Sequence, residues 1–190
     1  AIRCYYEGIT GLSNQIELHY ISEVKPGYFW LFPAGGNRAN IGIGLSKNDA
    51  KKEDRTLKTI MDEVISSKHF KDRFVNAKPL EKPQGWNLPM GSTHRNNYGD
   101  GYMLLGDSAG LIDPFTGEGI GNAMVSAKYA IAVTKRAKEL DDYSANILQA
   151  YDQMLWDEIG KELRTSTKLQ SLSRFSFLLN FVINRASRNE

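Results

Sequence analysis

The 190-residue sequence predicts a mixed α+β or α/β protein in three stretches. Residues 1–98 read as an antiparallel sheet with a short helix, 99–140 as a strand, loop and long helix, and 141–190 as a helical region. Three observations predict this. Two apolar runs, "GYFWLF" (27–32) and "ANIGIGL" (39–45), flank the turn "PAGGNR" and read as a hairpin. The stretch "LLGDSAGLIDPFTGEGIGNAM" (104–124) passes from an apolar strand end through alternate glycines into a helix. Beyond it, apolar residues recur at helical spacing nearly to the end.

In order along the chain, Ile16, Leu18 and Tyr20 alternate with polar residues and predict a half-buried strand. In the following run Tyr28, Trp30 and Phe32 point one way and Phe29 and Leu31 the other, as in a sheet covered on both faces. Gly42 and Gly44 in the partner strand leave space on one face, where a ligand fits. Leu57, Ile60, Met61 and Val64 predict a helix over 54–67. Residues 74–92, interrupted by Pro79, Pro83 and Pro89, predict an edge strand and an irregular crossing segment. After the turn "NNYGDG", "YMLLG" reads as a short buried strand. A helix is predicted from Gly119 to Leu140 with Ile120, Met124, Ala127 and Ile131 on one face. Two further helices are expected over 141–165 and 168–187.

Composition narrows the function. With 41% hydrophobic and 24% charged residues the chain is globular, and a net charge of +2 lacks the basic footprint of a nucleic-acid binder. One cysteine, Cys4, excludes an internal disulfide framework, fits a reducing cytoplasmic compartment and reads as a small buried hydrophobe. The scattered His19, His69 and His94 offer no zinc-ligand spacing, so no metal is expected. The opening residues show neither an initiating methionine nor a signal peptide, and no apolar run reaches membrane-spanning length.

The glycines at 117, 119 and 121 need explanation, because each glycine inside a helix costs about 1 kcal/mol relative to alanine. Either they form a turn and admit a neighbouring element, or they let backbone N–H groups at a helix start approach an anionic ligand. Asp113 and Pro114 have the chemistry of an N-cap and first helical residue, with or without a ligand.

"LLGDSAGLIDPFTGEGIGNAM" resembles the second flavin-binding signature of FAD-dependent oxidoreductases with the p-hydroxybenzoate hydroxylase fold. "PGYFWLFPAGGNRANIGIG" (26–44) resembles more narrowly the Tyr-x-Trp-x-Phe-Pro and Asn-Val-Gly-x-Gly elements of geranylgeranyl reductases, with Ile41 in place of valine. Leu88–Gly91 resembles the family's crossing segment. These stretches cover about half of the chain. The family's N-terminal Gly-x-Gly-x-x-Gly fingerprint is absent, so the chain resembles the C-terminal portion of a longer enzyme.

The resemblance implies roles. Gly106 lets the strand end approach FAD, and Asp107 accepts from a ribityl hydroxyl or orients the pyrophosphate end, unless it only caps its turn. Asp113 and Pro114, the Asp-Pro of the signature, belong to the implied cofactor-binding set, a role that can coexist with helix-start chemistry. Gly117, Gly119, Ile120 and Gly121 bring backbone N–H groups to the N1 and C2 carbonyl edge of the flavin. Tyr28 and Trp30 wall the cavity for an isoprenoid chain, or are plain sheet core. The implied reaction is hydride transfer from reduced FAD to a carbon–carbon double bond of a prenyl lipid, with NAD(P)H or another donor re-reducing the flavin. "FSFLLNFVI" (175–183), flanked by Arg174, Arg185 and Arg188, reads as a lid, as a peripheral membrane-surface helix at the inner face, or as packing against the missing N-terminal half. Open strand edges lead us to expect a homodimer or poor solubility. Two rival readings stand: an aromatic monooxygenase or halogenase on the same fold, and a non-enzymatic module binding an apolar ligand without flavin.

Overall fold

In this computed structural model, residues 1–24, 27–51, 53–173 and 175 are described. They form two units, Ala1–Asn87 and Leu88–Glu190. The first is a sheet covered on one side by helix. Its strands are β1 (Ile2–Glu7), β2 (Glu17–His19), β3 (Tyr28–Pro33), β4 (Ala39–Gly44), β5 (Lys78–Pro79) and β6 (Gln84–Gly85). All pairings are antiparallel and the order is β2-β3-β4-β1-β5, with β6 also on β1. Three short helices accompany it: α1 (Lys47–Ala50), α2 (Leu57–Ser66) and α3 (Lys71–Phe74).

Because side chains alternate across a strand, β3 and β4 split their residues between two faces. Phe29, Leu31, Ile41 and Ile43 are fully buried on one face, beside Cys4 of β1 and against Ile60, Met61 and Val64 of α2. Each such side chain contributes roughly 1.5–3 kcal/mol of burial. Helix α2 starts at Leu57, later than the expected 54, because the Thr56 hydroxyl accepts from the Thr59 N–H at 3.1 Å and caps it there.

Three expectations for this unit change. Strand β1, which no clear alternation in the sequence marks, lies inside the sheet between β4 and the short β5 and β6. Strand β2 turns its apolar residues outward: Ile16, Leu18 and Tyr20 are exposed, while Glu17 and His19 face inward. That inversion holds because the Arg73 guanidinium donates to both oxygens of Glu17, at 2.7 and 2.8 Å, and the His19 ring meets Phe70 edge-on at 4.8 Å. Within this unit and among the described residues, helix covers one face of the sheet; Tyr28, Trp30 and Phe32 on the other are half-buried.

The second unit contains the hairpin β7 (Tyr98–Gly99) and β8 (Tyr102–Met103), helix α4 (Ile120–Leu140) and helix α5 (Ala145–Ser173). The expected buried strand at 102–106 is only two residues long, with Tyr102 and Leu104 exposed. The two predicted C-terminal helices correspond to one continuous α5 up to Ser173. The hydroxyl run at 165–167 does not interrupt it, because Thr165 and Thr167 donate to the carbonyls of Lys161 and Leu163. Helices α4 and α5 share one core of Ala130, Val133, Ala137, Leu148, Tyr151, Leu155, Ile159 and Leu163. Residues 88–98 fall in the second unit, which also holds both long helices. The stretch 176–183, the greater part of the expected lid or membrane helix, lies outside the described residues.

Candidate functional site

The predicted site residues fall in two places, Tyr28 and Trp30 in the first unit and the loop residues in the second. On the sheet, the register sets Leu18 beside Trp30, Trp30 beside Gly42, and Gly42 beside Arg3. Tyr20, Tyr28, Trp30 and Phe32 follow one another with ring centroids 5.8, 6.1 and 6.1 Å apart. Burial raises the Tyr28 phenol pKa, with a smaller push from Tyr20. On β1, the next strand, the Arg3 guanidinium lies 5.2 Å from the Tyr5 ring centroid and pairs with Glu81.

The expected open space above Gly42 is filled from within the chain. A Cβ at Gly42 would lie 2.3 Å from Cζ2 of Trp30 and 2.3 Å from the Ile2 carbonyl oxygen, so the indole covers this glycine. The indole Nε1 donates to Asn40 Oδ1 at 2.9 Å. Above Gly44 the space stays open, with the nearest atom 4.0 Å away.

In the second unit the chain leaves β8 into a 3-10 turn at Gly106–Ala109. Gly106 has φ +53°, and a Cβ there would sit 3.0 Å from the Ala123 methyl of α4. Its N–H donates to the buried Ser126 hydroxyl at 3.1 Å. Asp107 is exposed, with Oδ1 3.1 Å from the point a Cβ of Gly119 would occupy, which places its carboxylate beside the start of α4. The positive end of the helix dipole favours a carboxylate there.

Asp113 is 7% exposed, and its Oδ1 accepts from the N–H groups of Phe115 and Thr116 at 2.9 and 2.8 Å and from the Thr116 hydroxyl at 3.0 Å. It therefore caps a single turn begun by Pro114. It does not cap α4, whose N-cap is Gly119. This corrects the expected N-cap role, and the reason is local: three hydrogen bonds close the turn first, and Gly117, at φ +76°, leads the chain away from helical geometry.

The glycines thus have separate duties. Gly117 supplies a left-handed conformation, Gly119 lets the loop and Asp107 come close, and a Cβ at Gly121 would meet nothing nearer than 3.6 Å. Their donors differ too. Gly117 N–H bonds the Asp113 carbonyl at 2.9 Å and Gly121 N–H the Glu118 carboxylate at 2.7 Å. The N–H groups of Gly119 and Ile120 have no partner among the described residues, and the Ile120 side chain is 77% exposed. Unlike the expected apolar seam, Ile120, Met124 and Ile131 are exposed; α4 packs through Ser126, Ala130, Val133 and Ala137.

Sequence reasoning missed the residues that hold this loop. Asn122 Nδ2 donates to the Leu111 carbonyl at 2.7 Å, and Gly91 N–H to the Ile112 carbonyl at 2.7 Å. Tyr151, fully buried in α5, donates to the Leu104 carbonyl at 2.6 Å; its pKa is pushed up to about 12, mainly by burial. A serine inside an apolar helix and a tyrosine on a core stripe were the available signals. Among the described residues no cluster of His, Cys, Asp or Glu lies where it could hold a metal ion, and no helix is long and apolar enough to cross a membrane.

A one-sided antiparallel sheet combined with this glycine-rich strand, loop and helix defines the chain as part of an FAD-dependent oxidoreductase fold. The geranylgeranyl reductase catalytic-domain profile matches residues 3–85. A digeranylgeranylglycerophospholipid reductase of Thermoplasma acidophilum is 36% identical over 165 residues, covering 83% of this chain and 39% of that protein. A digeranylgeranylglycerophospholipid reductase 2 of Methanopyrus kandleri is 32% identical over 158 residues, with the same coverage. The crystal structure of a geranylgeranyl bacteriochlorophyll reductase-like protein from Thermoplasma acidophilum superposes with a TM-score of 0.79 at 28% identity, over 92% of this chain and 43% of that one. The flavin-dependent brominase Bmp2, at TM-score 0.63 and 19% identity over 96% of this chain and 48% of its own, shares the fold. The chain belongs to the geranylgeranyl reductase family of FAD-dependent oxidoreductases, and spans 39% of the length of the first curated relatives it matches.

Proposed function

We propose that the protein containing this chain reduces carbon–carbon double bonds of an isoprenoid glycerophospholipid, with FAD as its cofactor and NAD(P)H as a source of electrons. The observation that carries this reading is the aromatic face of Tyr20, Tyr28, Trp30 and Phe32, which lies within the residues matched by the catalytic-domain profile. Such a face suits a long unsaturated chain, which offers apolar surface and π-electrons and no hydrogen-bonding groups.

The residues of the second unit fit a flavin. Two uncommitted N–H groups, of Gly119 and Ile120, stand at the start of the 21-residue helix α4, where backbone donors and the dipole together attract negative charge. Reduced FAD supplies the hydride. The chain's own part is to bind and orient: Gly119 and Ile120 offer backbone N–H groups to the ring edge, Gly121, whose N–H is held by the Glu118 carboxylate, leaves room for the ring by having no side chain, and Gly106 and Asp107 take the ribityl or pyrophosphate side. The Asp113-Pro114 turn with Gly117 sets the loop in front of the helix. Tyr28 and Trp30 exclude water from the prenyl chain. The rest of the flavin enclosure is supplied by protein outside these residues. A phospholipid substrate also implies peripheral contact with the inner face of the membrane.

The test uses the whole protein, chemically reduced under anaerobic conditions and mixed with an unsaturated prenyl glycerophospholipid. Mass spectrometry is expected to show addition of one dihydrogen per double bond. A flavin-loaded protein that leaves the lipid unchanged, or consumes oxygen to hydroxylate or halogenate an aromatic compound instead, overturns the reading. Asp107→Ala is expected to lower the flavin retained through gel filtration, and unchanged retention would remove Asp107 from the site.

A further inference from the structure

The pairing of Trp30 with Asn40 across Gly42 points to a second layer of the sheet face. Tryptophan on a strand has several accessible rotamers, and only some lay the ring over a neighbouring strand. Here the indole lies over Gly42 of β4, where any larger side chain would collide with Cζ2 and Cε2 at 2.3 and 2.7 Å. Its single polar atom, Nε1, meets Asn40 Oδ1 at 2.9 Å, two residues before Gly42 on the same strand and the same face. Glycine thus provides the seat and asparagine the latch. On each side the ring meets another aromatic, Tyr28 at 6.1 Å and Phe32 at 6.1 Å, so its orientation propagates along the face.

We infer that Asn40 is a positioning residue, which fixes the plane of the Trp30 indole over Gly42 and so sets the wall along which the prenyl chain lies. This rests on the function proposed above. Asn40 need touch no substrate; it acts through Trp30. Leucine has nearly the same size without the acceptor, and aspartate keeps the acceptor, so Asn40→Leu and Asn40→Asp separate the hydrogen bond from packing.

The experiment uses the flavin-loaded whole protein labelled with nitrogen-15. The indole N–H resonance of Trp30 is assigned by its loss in Trp30→Phe, and followed in both Asn40 variants. In Asn40→Leu the Trp30 signal is expected to move upfield and exchange faster with solvent, with flavin content unchanged. KM for the unsaturated prenyl lipid is expected to rise roughly three- to tenfold, the factor of one neutral hydrogen bond, while kcat stays within about twofold. Asn40→Asp is expected to restore both readouts. A Trp30 signal that does not move in Asn40→Leu overturns the proposal, as does a signal that moves while KM stays put. If Asn40→Leu does not fold, Asn40→Ala carries the same comparison. If the wild-type protein reduces no prenyl lipid, the functional reading fails on its own. The Asn40 proposal is then decided by the same resonance together with the affinity for geranylgeraniol, measured by tryptophan quenching, which is expected to weaken three- to tenfold in Asn40→Leu. Unchanged affinity overturns it.

Discussion

Ser126, fully buried in the middle of α4, accepts the N–H of Gly106 at 3.1 Å and ties the end of the strand to the helix that follows it. The same hydroxyl donates to the Ala123 carbonyl at 2.7 Å, so it joins the loop's left-handed glycine to the helix backbone. Ser126→Ala leaves a buried N–H without its acceptor, an omission that costs about 1–3 kcal/mol. The urea midpoint of the whole protein is expected to fall at constant slope, accompanied by weaker flavin retention. An unmoved midpoint would mean that the loop holds its shape without Ser126.

Tyr151 couples the same region to pH. Its neutral phenol donates to the Leu104 carbonyl, and its pKa stands at about 12 against about 10 for an exposed tyrosine. Between those values the folded protein binds a proton that the unfolded chain has released, so this stabilisation is complete below pH ~10 and is lost as pH climbs towards 12. Burial also raises Tyr6, Tyr20 and Tyr28, so Tyr151→Phe is expected to shrink the alkaline loss of stability without abolishing it. Thermal melts across that window, from about pH 10 to about 12, compare the slopes; equal slopes in both proteins would exclude Tyr151 as a contributor.

The glycines of the loop give opposite predictions. Gly117 has φ +76°, so Gly117→Ala is expected to cost roughly 1–2 kcal/mol. At Gly121, in the first turn of α4, a Cβ would meet only the Glu118 carboxylate, at an ordinary contact distance of 3.6 Å, and Gly121→Ala is expected to stabilise the flavin-free protein by about 0.5–1 kcal/mol. The same methyl is expected to lower flavin affinity, because it stands where the cofactor is proposed to approach. Flavin titration alongside unfolding reads both effects, and undiminished affinity would place the ring edge away from Gly121.

Glu17 gives the acid side. The hydrogen bonds from Arg73 hold its pKa below the usual carboxylate value. Its stabilisation is therefore present above about pH 4.3 and is lost as pH falls through the lowered value. Glu17→Gln is expected to lower Tm at pH 6, with the gap to wild type closing towards pH 3, across the range in which carboxylates titrate. A gap independent of pH would assign the effect to packing.

Composition and local pattern determined much of this protein. The β3–β4 hairpin, the alternating faces of β3, the apolar face of α2, the span of α4 and the glycine-rich loop are all legible, because each depends on neighbours a few residues away. So were the candidate positions: Tyr28 and Trp30 on one face, Gly106 and Asp107 in the turn after the strand, and residues 113–121 in the loop and first turn of α4. Tertiary structure decided which face of an element is buried. Periodicity shows that β2 and α4 have two faces, yet the partner selects between them. The close approach of α4 to α5 favours small residues such as Ser126, Ala130 and Ala137 over Ile120, Met124 and Ile131, and the Arg73 pair turns Glu17 inward in place of Leu18. The Trp30–Asn40 latch and the Ser126–Gly106 tie lie beyond sequence reading for the same reason. Each joins residues on different elements, and only packing brings a donor to its acceptor.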